Sequence, residues 1–271
     1  MVRLAGIEVR GLSRGGLETC IDLPELKVCF DIGRCPSEAV ARPTVLFTHA
    51  HMDHMGGIAY HAATRSLYRL GPATYVVPRE DQEAVAALFD AWRRLDRSDL
   101  EHQLVALSPG EEWTLPNRLR VRPFRSYHSV PCQGYGLWSV RRKLRPELAG
   151  LTTDEIVALK RAGEDPTVAV ETPEVVFTGD SLIEVVEREE AVRRARLLVL
   201  EVTFLDERVS VDECRAKGHI HLDEVVERTD LFENEALLLT HFSSRYAPAE
   251  VRELLDRRLP KRLRQRVTPL L

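Results

Sequence analysis

The chain has 271 residues with a formal net charge of −4, 44% hydrophobic and 30% charged, long enough for one large domain or two small ones around a sizeable core. The acidic total excludes a general nucleic-acid coat while leaving room for local basic patches, and no stretch approaches membrane-spanning length. Five cysteines without a CxxC pair, and a start (MVRLAGIEVRG) lacking an apolar h-region, predict a soluble, cytoplasmic protein with reduced thiols.

In chain order, Leu4–Val9, Thr19–Leu23 and Leu26–Ile32 alternate or run apolar between Gly and Pro breaks and predict strands. Between the first two, Gly11-Leu12-Ser13-Arg14-Gly15 matches the G-x-S-x-G pattern of serine hydrolases. That motif requires a helix after the serine, whereas ETCIDL follows here, so a glycine-rich hairpin turn is expected instead. Val45–Phe47 predicts a buried strand, Ile58–Leu70 a helix, Thr74–Val77 a strand and Glu80–Leu95 a longer helix with Val85, Leu88, Phe89 and Trp92 at helical spacing. Gln103–Leu107, Leu119–Phe124 and Cys132–Val140 read as strands. The charged stretch 141–165, with one helix-like segment at Thr153–Arg161, reads as an insertion projecting from a single domain spanning 1–271. Strands at Glu174–Thr178, Leu197–Val202 and Leu237–Thr240 then alternate with helices at Val185–Arg194, Leu222–Phe232 and Pro248–Leu259.

The chemistry is concentrated in His49-Ala50-His51-Met52-Asp53-His54, which follows the Val45–Phe47 strand and ends at Gly56-Gly57. Extended alternation would put His49, His51 and Asp53 on one side and turn His54 the other way. Three imidazoles and a carboxylate within six residues suit zinc-class ions. His54, His128, Asp180 and His241 each stand just past the C-terminal end of an apolar strand, the edge at which open sheets gather their sites. Together the donors form two sets: His49, His51 and His128 for one ion, and Asp53, His54 and His241 for another, with Asp180 shared. Two ions about 3.5–4 Å apart stabilise attacking and leaving oxygens in phosphodiester hydrolysis.

With these residues in hand, the chain resembles the metallo-β-lactamase fold family and, within it, the tRNase Z endonucleases in their short plant-type form. The resemblance rests on FTHAHMDHMGG (47–57), Phe177-Thr178-Gly179-Asp180, Glu201-Val202-Thr203-Phe204, Gly218-His219-Ile220-His221 and THFSSRY (240–246). It implies an α/β four-layer αββα sandwich, two zinc ions per chain with Mn or Fe as substitutes, and removal of the 3′ trailer from precursor tRNA. It further implies a homodimer in which the arm of one subunit holds RNA for the other's active site. On this resemblance Asp53 orients the nucleophilic water, His219 is the general acid with His221 its close rival, and Glu201 orients that histidine. The 141–165 insertion lies where the family's substrate arm emerges, and Arg141, Arg142, Lys143 and Arg145 are its candidate phosphate contacts. The glycine- and proline-rich motif of the common bacterial arm is absent here. A second function consistent with the same residues is hydrolysis of a small phosphodiester or other small ester on the same fold.

Overall fold

Strands that are apolar on both faces must lie between other layers, and Leu197–Glu201 and Ala236–Thr240 are buried at every position. The computed structural model describes all 271 residues and resolves these runs into two seven-stranded sheets packed face to face. The first holds, in spatial order, β1 (Val2–Leu4), β2 (Ile7–Arg14), β3 (Glu18–Leu23), β4 (Val28–Phe30), β5 (Thr44–Leu46), β6 (Ala73–Pro78) and β7 (His102–Leu107). The second holds β8 (Trp113–Thr114), β9 (Arg120–Arg125), β10 (Gln133–Leu144), β11 (Thr167–Phe177), β12 (Leu197–Glu201), β13 (Ala236–Thr240) and β14 (Val267–Pro269). Each sheet begins with antiparallel strands and continues with parallel ones, β4 to β7 in the first and β11 to β14 in the second.

Side-chain alternation distributes each strand between two cores. Val28 and Phe30 of β4 join Phe177, Leu197, Val199 and Leu238 between the sheets, where the rings of Phe30 and Phe177 lie 5.3 Å apart. Cys29 and Val45 face outward to α2 (residues 58–67) and α3 (residues 82–96). Leu198, Leu200, Leu237 and Leu239 face the helices on the opposite side. Helix layer, sheet, sheet, helix layer is the αββα sandwich expected of a metallo-β-lactamase fold.

Several boundaries differ from the sequence reading, each for a local reason. Gly11–Gly15 is not a turn: Gly11 to Arg14 continue β2, and the hairpin reverses at Gly16, with φ of +73°. Gly11 itself is required where two strands meet, because a Cβ there would lie 2.1 Å from the Cys20 carbonyl oxygen. The helix predicted at Ile58–Leu70 stops at Leu67, and Arg69 turns to φ +56°. Val185–Arg194 is two single turns, α5 (residues 184–188) and α6 (residues 190–194), broken where Glu189 takes an extended ψ of 109°. The helix from Leu222 ends at Glu227 and is followed by a short 3-10 turn at Thr229–Leu231.

The 141–165 stretch begins inside a strand rather than at a break. β10 and β11 form one long antiparallel hairpin in which Arg141, Arg142 and Lys143 pair with Val170, Ala169 and Val168. The tip beyond Leu144 carries a 3-10 turn and α4 (residues 153–161), whose start is closed by a capping box between Thr152 and Glu155.

Candidate metal centre

The C-terminal edges of the parallel strands of both sheets converge on one cleft, as open α/β sheets favour. From the first sheet, the chain leaves β5 extended through His49 to His51, then closes a single helical turn, α1 (residues 52–55). The expected alternation therefore ends at His51, and Asp53 and His54 arrive from a helical turn instead of a strand. From the second sheet, His128 follows β9, Asp180 follows β11, Glu201 ends β12 and His241 follows β13. His241 adopts φ of +62°, an uncommon conformation for a non-glycine residue, and the buried Ser13 hydroxyl accepts its N–H at 3.0 Å. Ser13, at the centre of the G-x-S-x-G decoy, is thus a prop for His241.

All seven predicted donors are brought together, in two groups that meet at Asp180. His49 Nε2 lies 3.0 Å from His51 Nδ1, which lies 3.4 Å from His128 Nε2. Asp53 Oδ2 lies 3.5 Å from His241 Nε2 and 3.7 Å from His54 Nε2. Between them, Asp180 offers Oδ1 to His54 at 3.4 Å and Oδ2 to His241 at 3.4 Å, His49 at 3.9 Å and His128 at 4.0 Å. One carboxylate serves both groups.

The tautomers follow from what stands behind the rings. His54 Nδ1 donates to Asp31 Oδ2 at 2.7 Å, and His49 Nδ1 donates to the Thr48 hydroxyl at 3.0 Å, which donates to Asp31 in turn. His128 Nδ1 donates to the Gly218 carbonyl at 2.8 Å. His241 Nδ1 donates to the Thr203 hydroxyl at 2.9 Å, which donates to Glu201 Oε2 at 2.7 Å. Each of these four rings is left with a bare Nε2 aimed into the cleft, and those of His54 and His241 are buried without a hydrogen-bond partner. Orphaned acceptors converging on a carboxylate are costly without a cation between them, so the donor set fits divalent metal ions.

Burial opposes charge on His54, but Asp180 and Asp31 outweigh it and hold the ring well above the ordinary imidazole range, so in the absence of a metal ion a proton takes its place there. Burial and the neighbouring imidazoles press His49 down to about 2, so that ring is a neutral donor. Burial opposes charge on Asp53, yet His241 and His54 outweigh it and lower the carboxyl to about 2. Burial likewise opposes charge on Asp180, but His241 and His54 hold it well below the usual carboxylate range. Gly16 N–H, from the β2–β3 hairpin of the same sheet, fixes Asp53 Oδ2 at 2.9 Å.

Of the two candidate acids, only His219 reaches the centre. Its ring lies 5.2 Å from those of His128 and His241, and its Nδ1 contacts Glu201 Oε1 at 2.9 Å. Glu201 is nearly completely buried and anchored by the N–H groups of Ser181 and Thr203. The structure does not bring His221 there: it caps α8 (residues 222–227), accepting from Asp223 N–H and donating through Nε2 to the Asp206 carbonyl. With both nitrogens occupied, His221 has no proton to lend. The four basic candidates lie on the arm, away from the cleft. Arg142 pairs with Asp165 and Arg145 with Glu147 and Glu164, while Arg141 and Lys143 are exposed and form no ion pair.

The residues that the motif reading missed are the ones behind the ligands: Asp31, Thr48, Thr203 and Gly218. Asp31 had a usable signal, an acid closing the apolar Val28–Phe30 strand at the same sheet edge as the ligands. Gly218 had none in periodicity; its φ is +78°, and a Cβ would lie 2.7 Å from His128 Nδ1. One titration tests the cluster directly. Burial disfavours the charged His219 ring, but Glu201 and Asp180 lift it to about 9. In metal-stripped protein, NMR should show His219 titrating near that value, falling towards the ordinary imidazole range in Glu201→Gln. Because the folded-state value is raised, its stabilising contribution is full below the ordinary imidazole range and is lost as pH rises through about 9.

A family profile described as Beta-lactamase superfamily domain matches residues 33–242. The chain is 43% identical to tRNase Z TRZ1 of Arabidopsis thaliana, over 99% of this chain and 96% of that one. It is 40% identical to the chloroplastic tRNase Z TRZ2 of the same plant, over 99% of this chain and 76% of the relative. Among solved structures, the human short-form tRNase Z superposes with a TM-score of 0.61 at 19% identity, over 88% of this chain and 93% of that one, a likeness of fold. Full-length identity at this level, with a donor cluster at the edge where the fold gathers its ligands, places the chain in the tRNase Z family of the β-lactamase superfamily.

Proposed function

We propose that this protein is a metal-dependent endoribonuclease that removes the 3′ trailer of precursor tRNA by hydrolysing one phosphodiester. The observation that carries this reading is the 43% identity, end to end, with a tRNase Z. The geometry supplies the chemistry. His49, His51, His128 and Asp180 would hold one zinc-class ion, and Asp53, His54, His241 and Asp180 a second. Bound there, two such ions supply Lewis acidity towards the phosphate and lower the pKa of water at the site. Asp53, with Oδ2 fixed by Gly16, orients that water for attack. His219 donates a proton to the departing 3′ oxygen, and Glu201 holds its Nδ1 so that Nε2 is the donor.

We propose in addition that the protein is a homodimer, a reading supported by exposed apolar side chains on one face. Leu88, Trp92 and Leu95 line one side of α3 and are exposed, as are Tyr60, Leu67 and Tyr68 on and beyond α2. Apolar surface of this kind is unusual on a monomer. Light scattering should report twice the chain mass, and Trp92→Glu with Leu95→Glu should reduce it to one.

The central test is incubation with 3′-extended precursor tRNA and mapping of the product ends, alongside elemental analysis. Close to two zinc-class ions per chain are expected. Asp180→Ala should cost both and His241→Ala mainly one, and acidification should release metal because protons compete for the same imidazole nitrogens. One ion or none in carefully prepared protein would overturn the two-metal assignment.

His219→Ala should lower turnover by about 10²–10⁴-fold with metal content intact, the range for a lost general acid. His221→Ala should instead lower the unfolding midpoint, because it removes a buried helix cap. The reverse pattern would transfer the role.

Arg141, Lys143 and the hairpin tip are positioned for phosphate contacts remote from the metals. Replacing residues 145–166 by a Gly/Ser linker should raise KM for precursor tRNA steeply, whereas hydrolysis of bis(p-nitrophenyl) phosphate should fall far less. Equal losses on both would mean that the hairpin tip supports the fold rather than the substrate.

A further inference from the structure

Beside His128 the surface opens into a groove of about 670 Å³ whose walls include Arg79, Leu107, Arg125, Tyr127 and Pro131. Tyr127 is rigidly mounted between two metal-site residues. It precedes His128, its N–H donates to Ser181 Oγ at 3.1 Å, and its carbonyl accepts from Leu182 N–H at 2.8 Å, both immediately after Asp180. Two guanidinium groups share its ring. Arg125, the last residue of β9, and Arg188, the last of α5, each place Cζ 5.2 Å from the ring centroid, and Arg188 Nη1 lies 3.5 Å from the Tyr127 hydroxyl.

Neither guanidinium has a carboxylate partner. Arg122 over Trp138 is neutralised by Glu112 and Glu171, and Arg208 over Tyr246 by Asp206 and Glu250, whereas Arg245 and Lys217 over Phe204 are, like this pair, without a carboxylate. Two like charges held at one ring repel each other unless an anion lies with them. Arg125 and Tyr127 line the groove, with Glu80 also on its wall, and Arg188 reaches the Tyr127 hydroxyl from outside the lining; two guanidinium forks and a phenolic hydroxyl grouped in this way match the oxygens of a phosphodiester. The groove borders the His49–His51–His128 end of the metal site, so its occupant is adjacent to the bond being cut.

We infer that Arg125, Tyr127 and Arg188 form a clamp for a backbone phosphate neighbouring the scissile one, fixing the RNA strand in register with the metal centre. The inference rests on the precursor-tRNA reading above. The clamp acts on charge and position, so it is indifferent to base identity and distinct from the grip of the hairpin arm.

The test uses precursor tRNA in which a single linkage, one or two nucleotides to either side of the cleavage site, is an uncharged methylphosphonate. Wild type, Arg125→Gln, Arg188→Gln and the control Arg94→Gln, an exposed arginine on α3, are compared, with metal content and unfolding midpoint measured for each. Arg125→Gln and Arg188→Gln should each raise KM roughly tenfold, with a smaller change in kcat and a salt dependence shallower by about one phosphate contact. On the substrate carrying the neutral linkage at the clamped position, wild type should weaken and the two variants should lose nothing further. The side on which this happens, trailer or tRNA, identifies the phosphate held. The clamp is overturned if the two variants bind no worse than Arg94→Gln, or if no neutral linkage removes their difference from wild type. Metal-loaded wild type that leaves unmodified precursor tRNA uncut would instead overturn the functional reading itself.

Discussion

The structure depends on one buried carboxylate surrounded by imidazoles. Asp180 faces His49, His54, His128 and His241 at 3.4–4.0 Å, with two ligands delivered by the first sheet and two by the second. Neither sheet alone can complete the cluster, so the site exists only while the sandwich is closed. In turn, a buried anion facing neutral imidazole nitrogens is satisfied only by cations, as protons or as metal ions. Fold and cofactor chemistry are therefore coupled through a single residue.

Behind that centre the two halves use parallel devices. Asp31 anchors His54 directly and His49 through Thr48; Glu201 anchors His219 directly and His241 through Thr203. In each half a buried acid reaches one imidazole by contact and another through a threonine hydroxyl. This fixes tautomers as well as positions, because each Nδ1 proton has one acceptor and each Nε2 is left for the cleft. The difference between the halves is chemical. Three of these rings have a bare Nε2 placed to ligate, whereas His219, on a loop between α7 (residues 211–216) and α8 and also close to Asp180 and His241, is held by Glu201 so that it keeps a proton-bearing edge towards the cleft.

In the proposed function, chemistry and recognition are also separated in space. The donor cluster sits on strand ends and a single helical turn. The basic residues Arg141 and Lys143 ride on a hairpin that leaves the sandwich, and the Arg125–Tyr127–Arg188 cluster lies between the two regions. An acidic protein can in this way present positive charge to a polyanion locally, because many guanidinium groups are neutralised by carboxylates while Arg125, Arg188, Arg141 and Lys143 are not.

The sequence by itself marked the strands and the candidate ligands at their ends, while the four-layer arrangement entered only through family resemblance. Apolar runs without alternation meant strands buried on both faces, and imidazoles and carboxylates at their C-terminal ends pointed to one edge, because strand termini in parallel sheets share a side. It located His219 and Glu201 only through family resemblance and could not separate His219 from His221, since two histidines two residues apart differ in nothing that periodicity can read. Only the tertiary structure decided that His221 is spent on capping α8 while His219 meets Glu201, because the distinction is made by partners 15 and 18 residues away. The same holds for Asp31, Ser13 and Gly218, whose roles rest on contacts across 23, 228 and 90 residues. It holds as well for the arm, whose basic residues looked like a separate insertion until pairing with residues 168–170 showed them to be the continuation of a strand. Local composition sets which groups are available; long-range packing alone determines which of them remain unsatisfied, and unsatisfied groups are where the chemistry is.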